Sequence, residues 1–513
     1  PEHRIWMVYN GEVYNFKELR ARLESLGHVF KSRTDSEVVL KSFCQWGCDC
    51  FKEFNGMWAI AFFDEKSGRL TLARDRFGIK PLFFFKDHGR FLFGSEIKSL
   101  LAHPLCPKEP NLSKILNYGG RSYRVVDADN HTFFKDIFHL PKSHFCTIDK
   151  AGTYTCKPYW SLDKLAESPV NNTLSRETQN QFLELLKDAV KLRMVSDVKL
   201  ASTLSGGMDS TSITCLAAKL HPGMETFSSV SGEGYFDESE YIQSVVDQEG
   251  LVSHIITPEI RPLYDIIREM VKAHDEPVCT ATWYMHYLIS RAIHENGVKV
   301  ILTGHGADEL LAGYWHHYHY AFADLRESGR SDQKEIQHWL SNHNRSMEEY
   351  EREKAYIAKI DQNRFLEIEA FSPYKRALSR TILEHDTLKP FESVFSGRLT
   401  RRLSVELTYD AVPTLLKPED RNSMAFSVEC RVPYLDYRLV EFCFSLGNVY
   451  KIRKGLGKKL LRDVMKGILP EKVRTRKEKV GFNFPIDDMV RTVNLEDFRQ
   501  MIRSDNYINS QVY

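Results

Sequence analysis

The chain has 513 residues, a length that predicts two or three domains, each able to bury its own core. Its 70 Lys and Arg residues almost balance its 69 Asp and Glu residues, so the net charge of +1 gives no electrostatic reason to expect a nucleic acid or an anionic membrane as the main partner. The sequence contains neither a long apolar run that could span a membrane nor a signal-peptide pattern, which predicts a cytoplasmic protein that acts on small molecules.

The first 158 residues predict an α+β domain built on a sheet. The segment IWMVYNGEVYN is extended from Ile5 onward, so the start of the chain at Pro1 is expected to lie inside a domain. Helical spacing follows in NFKELRARLESLG and DSEVVLKSFCQWG. Short aromatic and β-branched runs separated by turn residues then predict an antiparallel meander, in the order WAIAFFD, RLTLARD, PLFFFKD and RFLFGS.

Most of the 10 cysteines are scattered singly through apolar stretches, a distribution typical of reduced, buried thiols and not of a disulfide framework. Cys44, Cys48 and Cys50 form a cluster, but it lacks the fourth ligand and the paired spacing of a zinc site. The cysteines therefore predict no metal centre.

A polar stretch between Tyr159 and Ser175 predicts a linker, after which residues 175–513 show a different pattern. A helix leads into the strand VKLASTL, a glycine turn and an apolar helix, and ETFSSVS and KVILTG predict further strands. This alternation is typical of an α/β domain with a parallel sheet, which binds ligands at the carboxyl ends of its strands. Residues 317–395, rich in charge and helix formers, predict a helical insertion that serves as scaffold.

The hexapeptide Ser205–Ser210, SGGMDS, stands between a predicted strand and a predicted helix. Its two glycines allow a close approach of the backbone, the helix start offers N–H groups to phosphate oxygens, and Asp209 can hold Mg²⁺. A capped glycine turn is the structural alternative. Because no lysine precedes the final serine, the loop is not a Walker A motif, which favours chemistry at the α-phosphate over transfer of the γ-phosphoryl group.

The octapeptide Leu302–Glu309, LTGHGADE, also follows a predicted strand. Asp308 is placed to supply a second carboxylate for a Mg²⁺ ion on the triphosphate, although an acidic first turn of a helix is the alternative for this segment alone. In a third run, residues 419–436, Arg421 and Arg431 could clamp a phosphate or a substrate carboxylate, or belong to a structural ion-pair network.

These segments resemble the glutamine-dependent asparagine synthetase family, in the order SGGMDS, LTGHGADE, DRNSMAFSVECRVPYLD, GKKLLRDVM and RTRKEKVGFNFP. The first domain is similar to the family's class II glutamine amidotransferase domain through YNGEVYN, SRTDSEVVL, FNGMWAIAFFD and ARDRFGIKPLF. The resemblance implies an Ntn-hydrolase-type domain over residues 1–158 and an N-type ATP pyrophosphatase domain, similar to adenine nucleotide alpha hydrolases, over residues 175–513. It further implies ATP as substrate, Mg²⁺ as cofactor, and a homodimer as a candidate assembly.

The resemblance also implies roles for individual residues of the second domain. Lys458 matches the family's catalytic lysine, and Asp209 with Asp308 would bind Mg²⁺. The residues placed around ATP are Leu204, Ser205, Gly206, Gly207, Asp209, Ser210, Val230, Thr303 and Gly304.

In the first domain the resemblance places Asn10 and Gly11 in an oxyanion hole, and Glu12 and Asp35 on the amino group of glutamine, with Asn10 also in the glutamine site. A hairpin turn at Asn10-Gly11 is the structural alternative. The family's nucleophile is an N-terminal cysteine, which does not open this chain, so this chain is not expected to show glutaminase activity.

One departure concerns His305, which stands where the classical enzymes have a glutamate in the second glycine motif. A histidine can act as a general base but cannot supply a fixed negative charge. The main hypothesis is adenylation of the aspartate side chain by ATP, followed by amidation with ammonia derived from glutamine. The alternatives are amidation of another carboxylate, such as a uronic acid of a surface polysaccharide or a natural-product precursor, and a nucleotide sensor without catalysis.

Overall fold

The computed structural model describes residues 4–87, 89–120, 126–230, 237–257, 263–362, 391, 393–477 and 500. The chain divides into two compact units, one of residues 1–111 with 129–164 and the other of residues 112–128 with 165–513. Residues 112–128 thus leave the first unit and join the second, a crossing that no sequence motif indicates. The domain limits at 158 and 175 stay a prediction.

The first unit is built on antiparallel strands. Its strands are β1 (Ile5–Val13), β2 (Gly56–Asp64), β3 (Arg69–Arg74), β4 (Phe83–Lys86), β5 (Phe91–Gly94), β6 (Ile137–His139), β7 (His144–Ile148) and β8 (Tyr154–Pro158). They form a five-stranded sheet in the order β1-β2-β3-β7-β8 and a three-stranded sheet in the order β5-β4-β6. The predicted sheet domain is confirmed.

The four runs predicted as one meander are divided between these two sheets, so the prediction of a continuous meander was wrong. Strand β3 pairs with β2 on one side and with β7 on the other, where Leu70 lies opposite Ile148. Because β7 occupies this edge, β4 cannot pair with β3 and pairs with β5 and β6 in the second sheet instead.

The helices of the first unit are α1 (Phe16–Ser25), α2 (Asp35–Trp46), α3 (Cys50–Glu53) and α4 (Ile97–Leu101). The first two confirm the helical spacing, since Leu19 and Leu23 of α1 and Val38 and Val39 of α2 are buried. They belong to one apolar core with the aromatic side chains of β2. Tyr159, predicted to begin the linker, belongs to this core, where its ring lies 5.6 Å from that of Trp58.

The loop between β3 and β4 is organised by Asp75, whose side chain is fully buried. Its carboxylate accepts hydrogen bonds from the backbone N–H groups of Trp58 (3.2 Å), Phe77 (3.0 Å), Ile79 (3.0 Å) and Lys80 (2.9 Å). Burial raises the pKa of Asp75, against the opposing effect of these donors. The carboxylate therefore supplies the hydrogen-bond acceptors that a helix or a strand would otherwise provide to these backbone groups.

Two cysteines depart from the expected pattern of reduced thiols. Cys146 on β7 and Cys156 on β8 lie directly opposite each other in the antiparallel register, and their sulfur atoms are bonded as a disulfide. The expectation of a free thiol fails here because strand pairing brings together two residues that are distant in the pattern. Cys44, Cys48 and Cys50 are free thiols, as predicted.

The second unit contains the predicted parallel sheet, which is confirmed. Its strands are β9 (Leu200–Thr203), β10 (Glu225–Ser229), β11 (Val252–Ile256), β12 (Val300–Leu302) and β13 (Glu429–Arg431). They are parallel throughout, in the order β11-β10-β9-β12-β13. The strands β9 and β12, each followed by a glycine motif, are neighbours at the centre, so the two motifs leave the sheet side by side.

Helices surround this sheet. They are α5 (Leu112–Gly120), α6 (Arg176–Arg193), α7 (Met208–Leu220), α8 (Ser239–Glu249), α9 (Leu263–His274), α10 (Ala281–Glu295), α11 (Ala307–Leu311), α12 (Trp315–Glu327), α13 (Gln333–His343), α14 (Met347–Gln362), α15 (Arg398–Val405), α16 (Val412–Met424), α17 (Tyr437–Phe444), α18 (Asn448–Lys451), α19 (Lys459–Val464) and α20 (Glu471–Thr475). Over the residues that the structure covers, none of these helices has the length and apolar character needed to cross a membrane.

The predicted helical insertion at 317–395 begins with α12, α13 and α14. Residues 363–390 and 392 of this prediction lie outside the described residues. The three helices share an aromatic core, in which Trp339 of α13 lies 6.2 Å from the ring of Tyr318 and 6.0 Å from that of Tyr350.

An ion-pair cluster fastens residues 112–128 within the second unit. The ammonium group of Lys417 on α16 lies 3.0 Å from the carboxylate of Asp127 and also contacts Glu276. Burial alone would lower the pKa of Lys417, but the two carboxylates raise it above its ordinary value. The cluster therefore stays charged at neutral pH and holds the crossing segment to α16.

We predict that Asp75→Ala destabilises the first unit, because the substitution leaves four buried N–H groups without their acceptor. The free energy of unfolding should fall by roughly 3 to 5 kcal/mol. Urea unfolding followed by tryptophan fluorescence measures it, since Trp58 is one of the donors. In the control Asp49→Ala, an exposed ion pair with Lys52 is removed and the unfolding curve should change little. Equal curves for the two variants would contradict the structural role of Asp75.

Candidate active site

The first glycine motif forms a turn between β9 and α7. Ser205 donates its backbone N–H to the Ser210 hydroxyl (3.1 Å), and the two hydroxyl oxygens lie 2.9 Å apart. Gly206 has a φ of +70°, and a Cβ there would lie 2.8 Å from the Cβ of Tyr241, so both the backbone conformation and the space require glycine. The motif ends at the first turn of α7, whose free N–H groups suit an anion.

The second glycine motif packs directly on the first. A Cβ at Gly304 would lie 2.6 Å from the backbone nitrogen of Ser210, which leaves no space for any side chain. The two loops are therefore in backbone contact at the carboxyl ends of β9 and β12. This contact brings Asp209, at the start of α7, near Asp308, at the start of α11.

A lysine joins the two acidic residues. The Lys458 ammonium nitrogen lies 2.6 Å from Oδ1 of Asp209 and 2.5 Å from Oδ1 of Asp308. Its side chain is 8% exposed. Burial alone would lower the pKa of Lys458, but the two carboxylates raise it above its ordinary value, so the ammonium group remains charged.

The backbone around this lysine is unusual. Lys458 has a φ of 53° and a ψ of 35°, a left-handed conformation that residues with a side chain rarely adopt. Gly313 faces the same point from the other side, where a Cβ would lie 1.6 Å from Asp308 Oδ1 and 2.3 Å from Lys458 Cε. Gly313 is thus required at the site, although the sequence analysis did not single it out.

The donor set of this cluster fits Mg²⁺. Asp209 and Asp308 offer carboxylate oxygens, the hard ligands that Mg²⁺ takes from proteins together with phosphate oxygens and water. Both carboxylates lie against a glycine loop and a helix start that suit phosphate. The residues present are consistent with a metal ion held between the protein and a nucleotide.

His305 belongs to a second cluster centred on Glu419 of α16. Its Nε2 lies 3.0 Å from Glu419 Oε2, and Nδ1 of His286 lies 2.8 Å from the same oxygen. The thiol of Cys430 donates to the other carboxylate oxygen at 2.9 Å. Glu419 and His286 were missed as partners of His305, because they lie 114 and 19 positions away in the sequence.

The electrostatics of this cluster favour a charged pair. Burial alone would lower the pKa of His305, but the Glu419 carboxylate raises it above its ordinary value. Burial alone would raise the pKa of Glu419, but His305 and His286 hold it well below the usual range. The His305 ring nitrogen therefore lies 3.0 Å from a carboxylate that comes from a different element, α16.

These groups line one cavity of about 520 Å³. The predicted residues in its wall are Leu204, Ser205, Gly207, Asp209, Ser210, Thr303, Gly304, His305, Asp308 and Lys458. Gly206 and Val230 are not in the wall. Gly206 lies in the turn of the first glycine motif, next to Tyr241. The backbone N–H of Val230 donates to the Ile256 carbonyl (3.3 Å).

Two further parts of the wall were not predicted. Apolar residues of the sheet and of α10 line one part, among them Phe227, Ile289 and Ile293. Tyr318, Trp339 and His343 of the helical insertion line another. The insertion therefore contributes to the cavity as well as to the scaffold.

The two arginines of the third run differ from the proposed phosphate clamp. Arg431 is buried and donates through Nη1 to the carbonyls of Arg193 (2.8 Å) and Val195 (2.7 Å). Arg431 therefore has a structural role, which was the alternative to a phosphate clamp. Arg421 is also buried, and neither guanidinium group lines the cavity.

In the first unit, Asn10, Gly11 and Glu12 lie within β1, so the hairpin turn at Asn10-Gly11 is excluded. Asn10 donates to the Ser95 hydroxyl (3.4 Å). Gly11 has a φ of +141°, and its missing side chain lets β1 approach β2, since a Cβ would lie 2.1 Å from the Met57 carbonyl oxygen.

Asp35, at the start of α2, fastens that helix to β1. Its Oδ2 accepts hydrogen bonds from the Tyr9 hydroxyl (2.6 Å) and the Val13 backbone N–H (3.1 Å). The structure thus brings Asp35 to the strand that carries Asn10, Gly11 and Glu12. A binding role for these four residues stays a prediction.

Two family models match the chain. The model described as asparagine synthase matches residues 181–512, and the model described as glutamine amidotransferase domain matches residues 1–160. The matches follow one another in the order expected from the motifs and together cover almost the whole chain.

Individual relatives agree with these models. The chain is 32% identical to asparagine synthetase (glutamine-hydrolyzing) 3 of Bacillus subtilis (strain 168), an alignment that covers 92% of this chain and 74% of the relative. It is 27% identical to asparagine synthetase (glutamine-hydrolyzing) 1 of the same organism, over 99% of this chain and 80% of the relative. A putative asparagine synthetase (glutamine-hydrolyzing) 2 of Methanocaldococcus jannaschii is 34% identical over 61% of this chain and 59% of the relative.

We predict a pH-dependent effect of His305→Gln on stability. Because the pKa of His305 is raised in the folded protein, its stabilising charge is fully present below the ordinary pKa of histidine and is lost as the pH rises through the higher folded value. The stability gap between the wild type and the variant should therefore shrink as the pH rises above about 6.5, the ordinary pKa of histidine, and through the higher folded value. Thermal melting at a series of pH values measures the gap.

A matched control is His294→Gln, which removes an exposed histidine of α10. Its gap to the wild type should stay small at every pH. A gap for His305→Gln that does not change with pH would contradict the charged pair with Glu419.

Proposed function

The chain belongs to the glutamine-hydrolysing asparagine synthetase family, and we propose that it converts L-aspartate to L-asparagine with ATP and ammonia from glutamine, releasing AMP and diphosphate. It is a carbon-nitrogen ligase that uses glutamine as its amide donor. The observation that carries this proposal is the Lys458 ammonium group held between Asp209 and Asp308, where two glycine loops meet.

In the first step, an oxygen of the aspartate side-chain carboxylate attacks the α-phosphorus of ATP. The new bond joins that oxygen to phosphorus, and the bond to the bridging oxygen of diphosphate breaks. Negative charge grows on the α-phosphate and on the leaving diphosphate. Lys458 is assigned the neutralisation of this charge, which a fixed ammonium group performs best in a site that excludes water.

The proposed nucleotide site follows from the walls of the cavity. The loop Ser205–Ser210 and the start of α7 would hold the phosphates through backbone N–H groups and hydroxyls. Leu204, Val230, Thr303 and Gly304 are assigned to the adenosine, with Val230 acting from outside the wall. Phe227 adds an apolar surface to the same part of the cavity.

Asp209 and Asp308 would hold Mg²⁺, which neutralises charge on the phosphates when bound. The same two carboxylates fix the Lys458 ammonium group.

In the second step, ammonia attacks the acyl carbon of the aspartyl adenylate. The carbon–nitrogen bond forms, the bond from that carbon to the AMP oxygen breaks, and the nitrogen loses a proton, which passes to the departing AMP phosphate or to solvent. His305 is assigned to this second step, the attack of ammonia and the departure of AMP, because it lines the cavity three residues before Asp308. The Glu419 carboxylate fixes its ring through a 3.0 Å hydrogen bond.

In a protein that carries the family's N-terminal cysteine, a unit of this kind would supply the ammonia by hydrolysing glutamine. Asn10 and Gly11 are assigned to the oxyanion, and Glu12 and Asp35 to the amino group of glutamine, for which carboxylates are suitable partners. The homodimer and the cytoplasmic location stay predictions.

The proposal is tested by supplying Mg-ATP, ammonium and L-aspartate and measuring diphosphate and asparagine. Ammonium replaces glutamine, so the result does not depend on the first unit. We expect equal amounts of the two products. Diphosphate formed only with a different carboxylate would replace aspartate as the acceptor, and no product with any carboxylate would contradict a ligase function for the second unit.

We further predict that Lys458→Met lowers kcat for diphosphate formation by about 10³-fold, because the charge that stabilises the transition state is removed. The neighbouring Lys459→Met is the matched control, since Lys459 pairs with Asp463 on its own helix. Its kcat should stay close to that of the wild type. Equal losses in both variants would point to a general disturbance of the loop and contradict the specific role of Lys458.

A further inference from the structure

The loop that carries Lys458 runs from Lys454 to Lys458 and has little regular structure of its own. Three of its five residues, Lys454 (φ 52°), Gly455 (φ 65°) and Lys458 (φ 53°), have positive φ values. Such a backbone is strained at the two lysines and persists only where the surroundings hold it. The contacts of this loop therefore decide where the ammonium group lies.

Helix α13 of the insertion makes three hydrogen bonds to this loop, all at its first two residues. Asn342 donates from Nδ2 to the Lys454 carbonyl (2.8 Å), and the Gly455 backbone N–H donates to Glu335 Oε2 (3.0 Å). The Gly455 carbonyl lies 3.1 Å from Nε2 of His343. Both main-chain polar groups of Gly455 are thus satisfied by side chains of one helix.

Gly455 also packs against the backbone of α13. A Cβ at this position would lie 2.3 Å from the backbone nitrogen of Trp339. The loop and the helix therefore approach as closely as two backbones can, and no other residue type fits between them.

Helix α12 makes the next contact along the loop. The Gly457 backbone N–H donates to the hydroxyl oxygen of Tyr318 (2.9 Å) in a buried position. The ring of Tyr318 in turn lies 5.2 Å from that of His343 and 6.2 Å from that of Trp339. The aromatic core of the insertion thus connects both ends of the loop.

Neighbouring residues of the chain also contact the loop, since Leu456 exchanges two backbone hydrogen bonds with Arg453 and Arg462 Nε donates to the Gly457 carbonyl (2.9 Å). The Lys458 backbone N–H donates to the Leu311 carbonyl (3.0 Å) at the end of α11, the helix that begins next to Asp308. The Lys458 end of the loop is therefore fixed by α11, and Lys454, Gly455 and Gly457 are bonded by the insertion. The side chain of Lys458 leaves the loop at the point where these two supports meet.

We propose that helices α12 and α13 are the positioning element of the Lys458 loop, and that Glu335, His343, Asn342 and Tyr318 act on the reaction by holding this loop in its strained conformation. These are positioning residues, because each of them hydrogen-bonds a main-chain group of the loop. The insertion thereby has a part in catalysis beyond its role as scaffold. This inference rests on the proposed catalytic role of Lys458.

The first test compares Glu335→Ala with Glu335→Gln in the full chain. Glutamine keeps an oxygen that can accept the Gly455 N–H, and alanine does not. We expect kcat for diphosphate formation to fall about 10- to 100-fold in the alanine variant, with the KM for ATP changed less than about twofold, because misplacing a catalytic group by about 1 Å costs this much. The glutamine variant should recover most of the wild-type kcat.

Tyr318→Phe provides a second variant at the other end of the loop, since it removes the hydroxyl acceptor and keeps the ring. It should show the same fall in kcat with an unchanged KM. Two controls remove groups of the same insertion that do not touch the loop. Tyr350→Phe deletes a buried hydroxyl that bonds Arg326, and Glu348→Ala deletes an exposed partner of Arg352.

Hydrogen–deuterium exchange of the loop amides separates failure of this inference from failure of the proposed function. Glu335→Ala and Tyr318→Phe should speed exchange at residues 454–458 at least about tenfold, whether or not the protein makes asparagine. Loop exchange as slow as in the wild type would overturn the inference even in an active ligase. Fast exchange with an unchanged kcat would also overturn it, because the loop would then not need this conformation.

Discussion

The contact on which the site depends is the ammonium group of Lys458 between the carboxylates of Asp209 and Asp308. Asp209 and Asp308 each lie at the start of a helix that follows a different central strand. Their carboxylates can contact one ammonium group only because β9 and β12 are neighbours. The two glycine loops touch through Gly304 and Ser210, which brings the helix starts together. A buried cation then offsets two partly buried anions, an arrangement that is costly to assemble and strongly directional once formed.

The two glycine motifs could be identified in the sequence, but the residues of other elements that contact them could not. SGGMDS and LTGHGADE are continuous, and their glycines and carboxylates have a local physical meaning, so the loops and the parallel sheet could be predicted. The partners of His305 could not, because Glu419 comes from α16 and carries no local signal of its own. The same holds for Cys146 and Cys156, whose pairing depends on the register of two strands. Strands β11 and β13 were also not assigned, because their residues give no clear alternation.

Hydrogen bonds between side chains and backbone groups supply much of the order in loops that lack regular structure. Asp75 organises a loop by accepting four backbone donors, and Glu335 with His343 satisfies both main-chain groups of Gly455. In each case a side chain replaces the hydrogen bonds that a helix or strand would provide. Hydrophobic periodicity does not identify such side chains, because their role depends on the backbone groups that they contact in the folded chain and not on their spacing in the sequence. This is why the insertion could be predicted as helical but its contact with the Lys458 loop could not.

The crossing of residues 112–128 into the second unit has a consequence for synthesis on the ribosome. Asp127 and its partner Lys417 are separated by 290 residues, a stretch that takes roughly 15 to 60 seconds to translate. During that interval the first unit can fold while residues 112–128 lack their contacts with the rest of the second unit. Until Lys417 has emerged, Asp127 therefore lacks the ion-pair partner that it has in the folded unit.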